Sequence, residues 1–365
     1  MQSPDRAAML AALERLVVAE SPSLDKAGCD TCAEQVSELF LEHTGVRAIR
    51  HRRPDQGDHL EIRVGTGADP IVVLCHHDTV WPLGTLTRLP YRVDGDRVTG
   101  PGGYDMKAGI VEAAFALAGA RPKRPVIVLS TSDEEIGSKS SRALIEETAS
   151  GAVAVLVLEP AASGGAIKTA RKGIADFILE IEGRAAHAGV EPEKGISAVD
   201  ELAHQVVALR RLADPASGTT INVGVVSGGT RPNVVAAQAR AEIDVRFSRA
   251  AEAERVVAAI RGLKPTIDGA RLTISGGVDR PPMERSPGIA RLAQLAQRLA
   301  GDLGFELPET STGGGSDGNY TAALGVPTLD GLGPDGGGAH ADREHLLIES
   351  WLRRTRLLRL LIEAL

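Results

Sequence analysis

Cysteine is scarce in this sequence, with three residues among 365, at positions 29, 32 and 75. Cys29 and Cys32 form a single CDTC string. A redox or zinc-binding role for this string would need partner residues that the sequence does not show, so we predict a structural role. Cys75 directly precedes His76, but alternation along a strand turns neighbouring side chains to opposite faces, which argues against a thiol nucleophile. The low cysteine content agrees with a reducing compartment.

Excess positive charge is also absent, because 41 Lys and Arg residues stand against 48 Asp and Glu residues, a formal net charge of −7. Nucleic acid and anionic membranes are therefore not expected as partners. The N-terminal stretch MQSPDRAAMLAALERL has acidic residues and no uninterrupted apolar core, so we expect no secretory signal and a cytoplasmic location. The hydrophobic fraction of 43% and the charged fraction of 24% are typical of a soluble globular protein without membrane spans.

The most informative stretch is IVVLCHHDTVW, residues 71–81. Its apolar half predicts a buried parallel strand, and side chains at the carboxyl end of such a strand face the crevice where α/β sheets bind ligands. His76 and Asp78 lie two residues apart in an extended segment, so the carboxylate can hold the imidazole in one tautomer. A metal ligand needs this arrangement, although a structural polar pair also has it.

Acidic residues or histidine follow apolar runs at further places. These are the SDEE string with Asp133, Glu134 and Glu135 after PVIVLST, Glu159 after AVAVLVL, His340 after VPTLDGLGPDGGGA, and Asp105 in the Gly-rich GPGGYDMKAG. If the strands are neighbours in one sheet, these positions converge on a single cleft. Imidazoles and carboxylates without cysteine suit a pair of divalent ions such as zinc, cobalt or manganese.

The order of the elements predicts two domains, which a length of 365 residues also favours. Strands alternate with helices up to about residue 160, which predicts an α/β domain with a mixed, mostly parallel sheet. Residues 174–277 follow the order strand, helix, strand, strand, helix, strand, the split βαβ order of a ferredoxin-like α+β module. The α/β pattern then resumes, so the second domain is inserted into the first. The predicted segments are 1–170, 171–282 and 283–365.

Nine strings occur in order along nearly the whole chain: CHHDTVWPLG, GPGGYDMKAG, STSDEEIGS, VLEP, GRAAHAG, NVGVVSGGTRPNVV, DVRF, GGGSDGNYTAALGVPTLDGLG and GAHADREH. Together they resemble the dizinc aminoacylase and carboxypeptidase superfamily, the M20-type metallopeptidases. The closest resemblance is to the glutamate carboxypeptidase branch. It implies a zinc-hydrolase catalytic domain in two segments, with the inserted domain serving as a lid through which two copies form a homodimer.

The resemblance implies two bound Zn²⁺ ions, with Co²⁺ or Mn²⁺ as substitutes. One ion would be held by His76 and Glu159. The other would be held by Glu135 and His340, and Asp105 would be shared between the two.

Three further residues would act in catalysis according to the same resemblance. Glu134 would be the general base that takes a proton from the attacking water and passes it to the leaving amine. Asp78 would orient His76. His187, in the lid, would donate a hydrogen bond to the carbonyl oxygen of the scissile bond and stabilise the developing oxyanion.

Substrate binding is implied for five residues. Asn233 and Arg246 match positions that bind the free α-carboxylate of the substrate, and a guanidinium can bind both oxygens of a carboxylate. Gly314, in GGGSDG, would let backbone N–H groups approach the same carboxylate. Arg280 and Thr312 are candidates for binding a side-chain carboxylate.

The implied function is hydrolysis of an amide bond next to a free α-carboxylate, with release of a C-terminal acidic amino acid from a small peptide or N-acyl amino acid. One alternative is an N-acyl-amino-acid deacylase of the acetylornithine or succinyl-diaminopimelate kind. A more distant one is a non-catalytic binding protein on the same fold, against which stand the five expected ligands and Glu134. A serine hydrolase is not indicated, because GGGSDG lacks the Gly-x-Ser-x-Gly spacing.

Overall fold

The computed structural model describes residues 4–365, and these divide into two compact units. The first unit contains the described residues up to Ala170, together with Arg285–Thr312 and Ser316–Leu365. The second contains Arg171–Glu284 and Gly313–Gly315. Among residues 4–365, no helix combines the length and the apolar composition needed to cross a membrane.

The α-helices are α1 Arg6–Val18, α2 Lys26–Thr44, α3 Ala108–Leu117, α4 Arg142–Ala149, α5 Ala198–Leu212, α6 Ala250–Arg261, α7 Pro287–Asp302, α8 Gly318–Ala323 and α9 Ile348–Ala364.

The strands are β1 Ile49–His51, β2 His59–Val64, β3 Ile71–His76, β4 Arg92–Asp94, β5 Arg97–Thr99, β6 Val126–Thr131, β7 Ala154–Val157, β8 Ile167–Arg171, β9 Gly173–Glu182, β10 Thr220–Gly228, β11 Gln238–Phe247, β12 Arg271–Arg280, β13 Glu309–Thr312, β14 Thr328–Leu329, β15 Gly336–Gly337 and β16 His345–Leu347.

A six-stranded sheet in the order β1-β2-β6-β3-β7-β14 forms the centre of the first unit. The pairs β6–β3, β3–β7 and β7–β14 are parallel, whereas β1–β2 and β2–β6 are antiparallel. The predicted α/β class with a mixed, mostly parallel sheet is therefore confirmed.

Helices cover both faces of this sheet, as the burial of β3 shows. Ile71 and Val73 belong to the largest apolar cluster, to which α1, α2, α3 and α9 contribute. Val72 and Leu74, on the opposite face, belong to another cluster with residues of α4 and α8. A strand buried on both faces has a continuous apolar sequence, and burial of each such side chain stabilises the fold by about 1.5–3 kcal/mol.

A smaller sheet, in the order β15-β16-β5-β4, also lies in the first unit. β16 pairs antiparallel with β5, with His345 opposite Thr99. The pairing holds the segment that precedes β16 next to the segment that follows β5. These segments carry His340 and Asp105.

The second unit is built on a four-stranded antiparallel sheet in the order β10-β11-β9-β12. Alternate residues of β9, including Phe177, Leu179 and Ile181, pack with α5 and α6 in one apolar cluster. The intervening residues of β9 are half-buried or exposed, so the helices cover one face only. The predicted ferredoxin-like α+β element order is present in this unit.

Candidate active site

The candidate site lies at the carboxyl edge of the six-stranded sheet. β3 ends at His76, β6 is followed by a short turn that contains Glu134 and Glu135, and β7 leads into Glu159. Because these three strands are parallel neighbours, their polar ends meet at one edge.

Two groups of potential metal ligands form at this edge. The first consists of His76, Asp105 and Glu159. Nε2 of His76 lies 3.6 Å from Oδ1 of Asp105 and 3.4 Å from Oε1 of Glu159. The His76 side chain is almost fully buried. Bulk water therefore does not reach this group from the histidine side.

The second group consists of Asp105, Glu135 and His340. Nε2 of His340 lies 3.1 Å from Oε1 of Glu135 and 3.4 Å from Oδ2 of Asp105. Asp105 therefore faces one histidine with each of its two oxygens, Oδ1 towards His76 and Oδ2 towards His340. A carboxylate in this orientation can be shared between two ions.

Asp78 connects His76 to the turn that carries the glutamates. Nδ1 of His76 donates to the backbone oxygen of Asp78 at 3.0 Å and lies 3.3 Å from its Oδ1. The Asp78 carboxylate also accepts hydrogen bonds from the backbone N–H groups of Glu134 and Glu135, both at 3.2 Å, and from the Ser23 hydroxyl at 2.7 Å. With Nδ1 as the donor, Nε2 of His76 faces Asp105 and Glu159, and its lone pair becomes available to a metal ion when that nitrogen loses its proton.

The charges of the site shift the pKa of both histidines upward. Burial disfavours the imidazolium form of His76, but the neighbouring carboxylates of Asp105, Asp78 and Glu159 outweigh it and raise the pKa of His76 well above its usual value. Hydrogen bonds to Asp105 and Glu135 raise the pKa of His340 to about 11. The carboxylates thus favour a positive charge at both Nε2 atoms, either a proton or a bound cation.

These residues fit a pair of divalent metal ions. Nε2 of His76 is buried and has no hydrogen-bond partner within residues 4–365, although two carboxylate oxygens face it. An orphaned nitrogen of this kind is costly unless something binds it. Two imidazoles and three carboxylates are suitable ligands for zinc, cobalt or manganese.

Glu344 contributes to the site but was missed in the sequence, although it stands within the GAHADREH string four residues after His340. Its buried carboxylate accepts hydrogen bonds from the backbone of the turn that carries Asp105. The distance of 239 positions between Glu344 and Asp105 gave no local signal for this contact.

His187 and Asn233 lie next to each other in the second unit. The backbone N–H of Ala188 donates to the oxygen of Asn233 at 3.0 Å, and His187 pairs with Val234 in an isolated bridge. Nδ1 of His187 accepts a hydrogen bond from the backbone N–H of Gly189 at 3.1 Å. A neutral ring with an accepting Nδ1 carries its proton on Nε2, so that atom is available as a donor.

Arg246, on β11, pairs with Asp244 two residues earlier on the same face. Nε and Nη2 of Arg246 donate to the Asp244 carboxylate at distances of 2.7–3.0 Å. This pairing uses the side edge of the guanidinium. Nη1 has no hydrogen bond to another residue among those described, so the end edge remains for a second carboxylate.

The remaining predicted substrate-binding residues lie around the Gly-rich segment. Gly314 belongs to the second unit, where the buried Arg171 donates to its backbone oxygen at 3.2 Å and to that of Gly315 at 3.1 Å. Arg280 ends β12 and is 4% exposed. Thr312 ends β13 in the first unit and is half-buried.

A protein-family model described as peptidase family M20/M25/M40 matches residues 72–364, more than half of the chain. The chain belongs to this family. Among curated M20 relatives, carboxypeptidase G2 of Pseudomonas sp. strain RS-16 is 31% identical over 366 aligned positions, which cover 96% of this chain and 87% of that protein. As an M20 peptidase with a carboxypeptidase relative, the protein is a metal-dependent hydrolase with peptide substrates.

Solved peptidase structures share its fold along nearly the whole chain. Aminopeptidase PepT from Bacillus cereus superposes with a TM-score of 0.82 at 24% identity, covering 99% of this chain and 98% of that chain. The Bacillus subtilis YXEP protein, described as a dinuclear metal-binding peptidase of the M20 family, superposes with a TM-score of 0.71 at 17% identity and covers 98% of both chains. At these identities the likeness concerns the fold.

Proposed function

We propose that this M20 peptidase is a dizinc carboxypeptidase that hydrolyses the amide bond next to a free α-carboxylate and releases a C-terminal acidic amino acid. The observation that carries the proposal is the pair of imidazole–carboxylate groups that share Asp105. The 31% identity to carboxypeptidase G2 supports the carboxypeptidase reaction.

Five side chains would hold the ions. His76 and Glu159 would bind one ion and Glu135 and His340 the other, and Asp105, which faces both histidines, would be shared between them. When bound, two divalent ions supply Lewis-acid activation of the amide carbonyl and of the attacking water. Zinc suits this mixture of nitrogen and oxygen ligands, and cobalt or manganese would substitute for it.

Glu134 would be the general base. It lies outside both ligand groups, and its backbone is held, together with that of Glu135, by the Asp78 carboxylate. This arrangement separates the roles of the adjacent glutamates, since Glu135 faces His340. Glu134 would accept the proton of the attacking water and deliver it to the leaving amine.

The second unit would supply the groups that bind the substrate. The Nε2–H of His187 would donate to the carbonyl oxygen as negative charge develops there. The end edge of the Arg246 guanidinium, left available by Asp244, would bind the α-carboxylate together with Asn233 and backbone N–H groups near Gly314. The bidentate pairing with Asp244 supports this role because it holds the guanidinium plane in one orientation.

Preference for glutamate requires another cation for the side-chain carboxylate, and we assign this role to Arg280 with help from Thr312. A guanidinium and a hydroxyl are suitable donors for a carboxylate. Without them, an acidic side chain would lose its hydration on entering the site and gain no compensating partner.

We further propose that the second unit acts as a lid and joins two copies of the chain. Its β10 is an edge strand, and Val225 and Val226 on it are 52% and 59% exposed. An unpaired edge with exposed valines is suited to pairing with another chain. Analytical ultracentrifugation should show a dimer, and substitution of both valines by lysine should shift the protein towards a monomer. A wild-type monomer at micromolar concentration would contradict this assignment.

The experiment that tests the function uses enzyme stripped by a chelator and reloaded with zinc or cobalt. Release of free amino acid would be measured from N-acyl glutamate, N-acyl glutamine and the α-amide of N-acyl glutamate, alongside neutral N-acyl amino acids and dipeptides. We expect metal-dependent release that is fastest from N-acyl glutamate and lost with the α-amide.

Other outcomes would change the proposal in defined ways. Preference for a neutral acyl amino acid would favour the deacylase alternative with the same metal chemistry. Cleavage of the α-amide at the rate of the acid would contradict recognition of the α-carboxylate. Bound metal with no release from the whole panel would favour a binding protein.

A further inference from the structure

Four N–H groups donate hydrogen bonds to the carboxylate of Glu344, next to the proposed metal site. Oε2 accepts from the indole N–H of Trp81 at 2.7 Å and from the backbone N–H of Gly102 at 3.1 Å. Oε1 accepts from the backbone N–H groups of Tyr104 at 3.0 Å and Asp105 at 3.2 Å. Glu344 is 3% exposed, and no lysine or arginine among residues 4–365 forms an ion pair with it. Four directed N–H groups, rather than a cationic side chain, therefore satisfy its two oxygens.

The turn that Glu344 binds is rich in glycine. Its sequence is GPGGYD, and Gly102 in this turn has a φ of +67°. A Cβ atom on Gly102 would lie 2.3 Å from Cγ2 of Thr79, so only glycine fits. Glycine adds conformational freedom to a chain, so contacts from elsewhere add to the turn's own backbone hydrogen bonds in holding a single conformation.

The other side of the turn is held separately. Lys107 is 1% exposed, and its Nζ donates to the backbone oxygens of Leu16 and Ala19 at the end of α1, at 2.8 and 2.9 Å. Asp105 thus lies between two anchored points, Glu344 on its N-terminal side and Lys107 on its C-terminal side.

Glu344 also belongs to the segment that carries His340. Its backbone N–H donates to the oxygen of Ala341 at 2.8 Å, which closes a tight turn directly after His340. His340 has a φ of +60° and a half-exposed side chain, so contacts of the neighbouring residues must hold its loop. One residue therefore connects the loops of two proposed ligands that stand far apart in the sequence.

We propose that Glu344 is a positioning residue that fixes the 102–105 turn relative to the His340 loop and so keeps one oxygen of Asp105 directed at His76 and the other at His340. The inference rests on the proposed dinuclear site. A shared carboxylate tolerates only small displacements, because movement towards one ion is movement away from the other.

A carboxylate suits this position better than an amide. All four partners are N–H donors, and a carboxylate presents two acceptor oxygens to them, whereas a glutamine presents one acceptor and two donors. The substitution E344Q keeps the size of the side chain but sets an NH₂ group against two N–H groups. The turn must then shift to relieve this contact.

The test measures metal affinity directly. Chelator-stripped wild type and E344Q would be titrated with Co²⁺ in competition with a chromophoric chelator, and bound metal would be counted after dialysis. Loss of an outer hydrogen-bonding partner typically weakens metal binding about 10- to 100-fold. We expect this loss in E344Q, with a reduced kcat at saturating metal and an almost unchanged KM. The matched control is E349Q, the same change at an exposed residue five positions later, which should bind Co²⁺ like wild type.

A conservative variant covers the case in which E344Q fails to fold. E344D keeps the charge and both acceptors but withdraws them by one methylene, so we expect metal affinity between wild type and E344Q. Wild-type affinity and wild-type kcat in a folded E344Q or E344D protein would overturn the positioning role. Absence of Co²⁺ binding by the wild type itself would instead reject the proposed dinuclear function, so the two failures are distinguishable.

Discussion

Nε2 of His340 lies 3.1 Å from Oε1 of Glu135, although 205 positions separate the two residues in the chain. The contact joins the loop before β16 to the turn after β6. It also defines a competition, because the same nitrogen can hold a proton between carboxylates or bind a metal ion, but cannot do both.

The first prediction concerns pH and the metal-free protein. The pKa of His340 is raised to about 11 by Asp105 and Glu135, against about 6.5 in an unfolded chain. Protonated His340 therefore stabilises the metal-free fold fully below about pH 6.5, and the contribution declines as the pH rises towards 11. In a chelator, the difference in Tm between wild type and H340N should shrink from pH 6 to pH 9. A difference that stays constant or grows would contradict this.

Metal binding should show the opposite trend. Because both histidines must lose a proton to bind an ion, Zn²⁺ or Co²⁺ affinity should increase as the pH rises from 6 to 8, with proton release detectable in calorimetry. Buffers of different ionisation enthalpy would separate the released protons from the binding heat. Binding without release of protons would show that the rings are already neutral in the metal-free protein.

The second prediction separates catalysis from metal binding. E134Q should retain both metals and lose about 10²- to 10⁴-fold in kcat, since the proton acceptor is removed while the ligands stay. E147Q, the same change at an exposed position of α4, is the matched control. Metal content by elemental analysis and kcat would be measured on the same samples. Near-wild-type turnover by E134Q would show that another group takes the proton.

The third prediction concerns Asp78. D78N keeps the shape of the side chain but removes one acceptor from a carboxylate that binds Ser23 and the N–H groups of Glu134 and Glu135. Metal affinity should fall about 10- to 100-fold. S23A removes a single hydrogen bond to the same carboxylate and should have a smaller effect. If both variants bound metal with wild-type affinity, Asp78 would have no role in orienting the metal ligands.

The fourth prediction concerns recognition of the α-carboxylate. R246A should raise KM for an acid substrate by about 10- to 100-fold, the value of a charge-assisted hydrogen-bonded pair, and change KM for the α-amide much less. R246K should recover little, because an ammonium lacks the two-pronged geometry. D244N tests the orientation of the guanidinium and should give a smaller rise in KM. Equal effects of R246A on acid and amide would contradict the assignment.

The fifth prediction concerns the stability of the second unit. The buried Glu201 accepts hydrogen bonds from the Gln205 side chain and from the backbone of Thr266 and Ile267. E201A should lower the free energy of unfolding by about 1–3 kcal/mol, since the Gln205 amide and the two backbone N–H groups lose their acceptor. Urea denaturation would measure this, with D200A at an exposed neighbour as control. Because Glu201 lies in the second unit, the metal content should not change.

Much of the fold follows from local patterns. The apolar runs at 71–75 and 126–129 have the length of buried parallel strands. Polar residues follow each run closely, which predicts functional side chains at the strand ends. The split βαβ order of the second unit was equally visible, because each of its helices and strands has a distinct hydrophobic period.

Other features of the site were outside the reach of the sequence. Nothing local indicates that β3 lies between β6 and β7, and this order is what brings Glu135 and Glu159 to either side of His76. The hydrogen bonds of Asp78 to the glutamate turn, and of Glu344 to the Asp105 turn, join positions 56 to 242 residues apart. Such contacts depend on how distant segments of the chain pack together, which a short sequence motif does not specify.

The sequence by itself determined which residue types stand at the ends of the strands, because hydrophobic period and chain order are properties of neighbouring residues. The resemblance of the nine strings to a known family added expected roles for individual side chains. These roles stay predictions. Only the tertiary structure decided that the two oxygens of Asp105 face different histidines and that Glu344 binds the turn that presents them. The physical reason is that hydrogen-bond directions depend on the relative positions of strands and loops, which are set when the whole sheet packs.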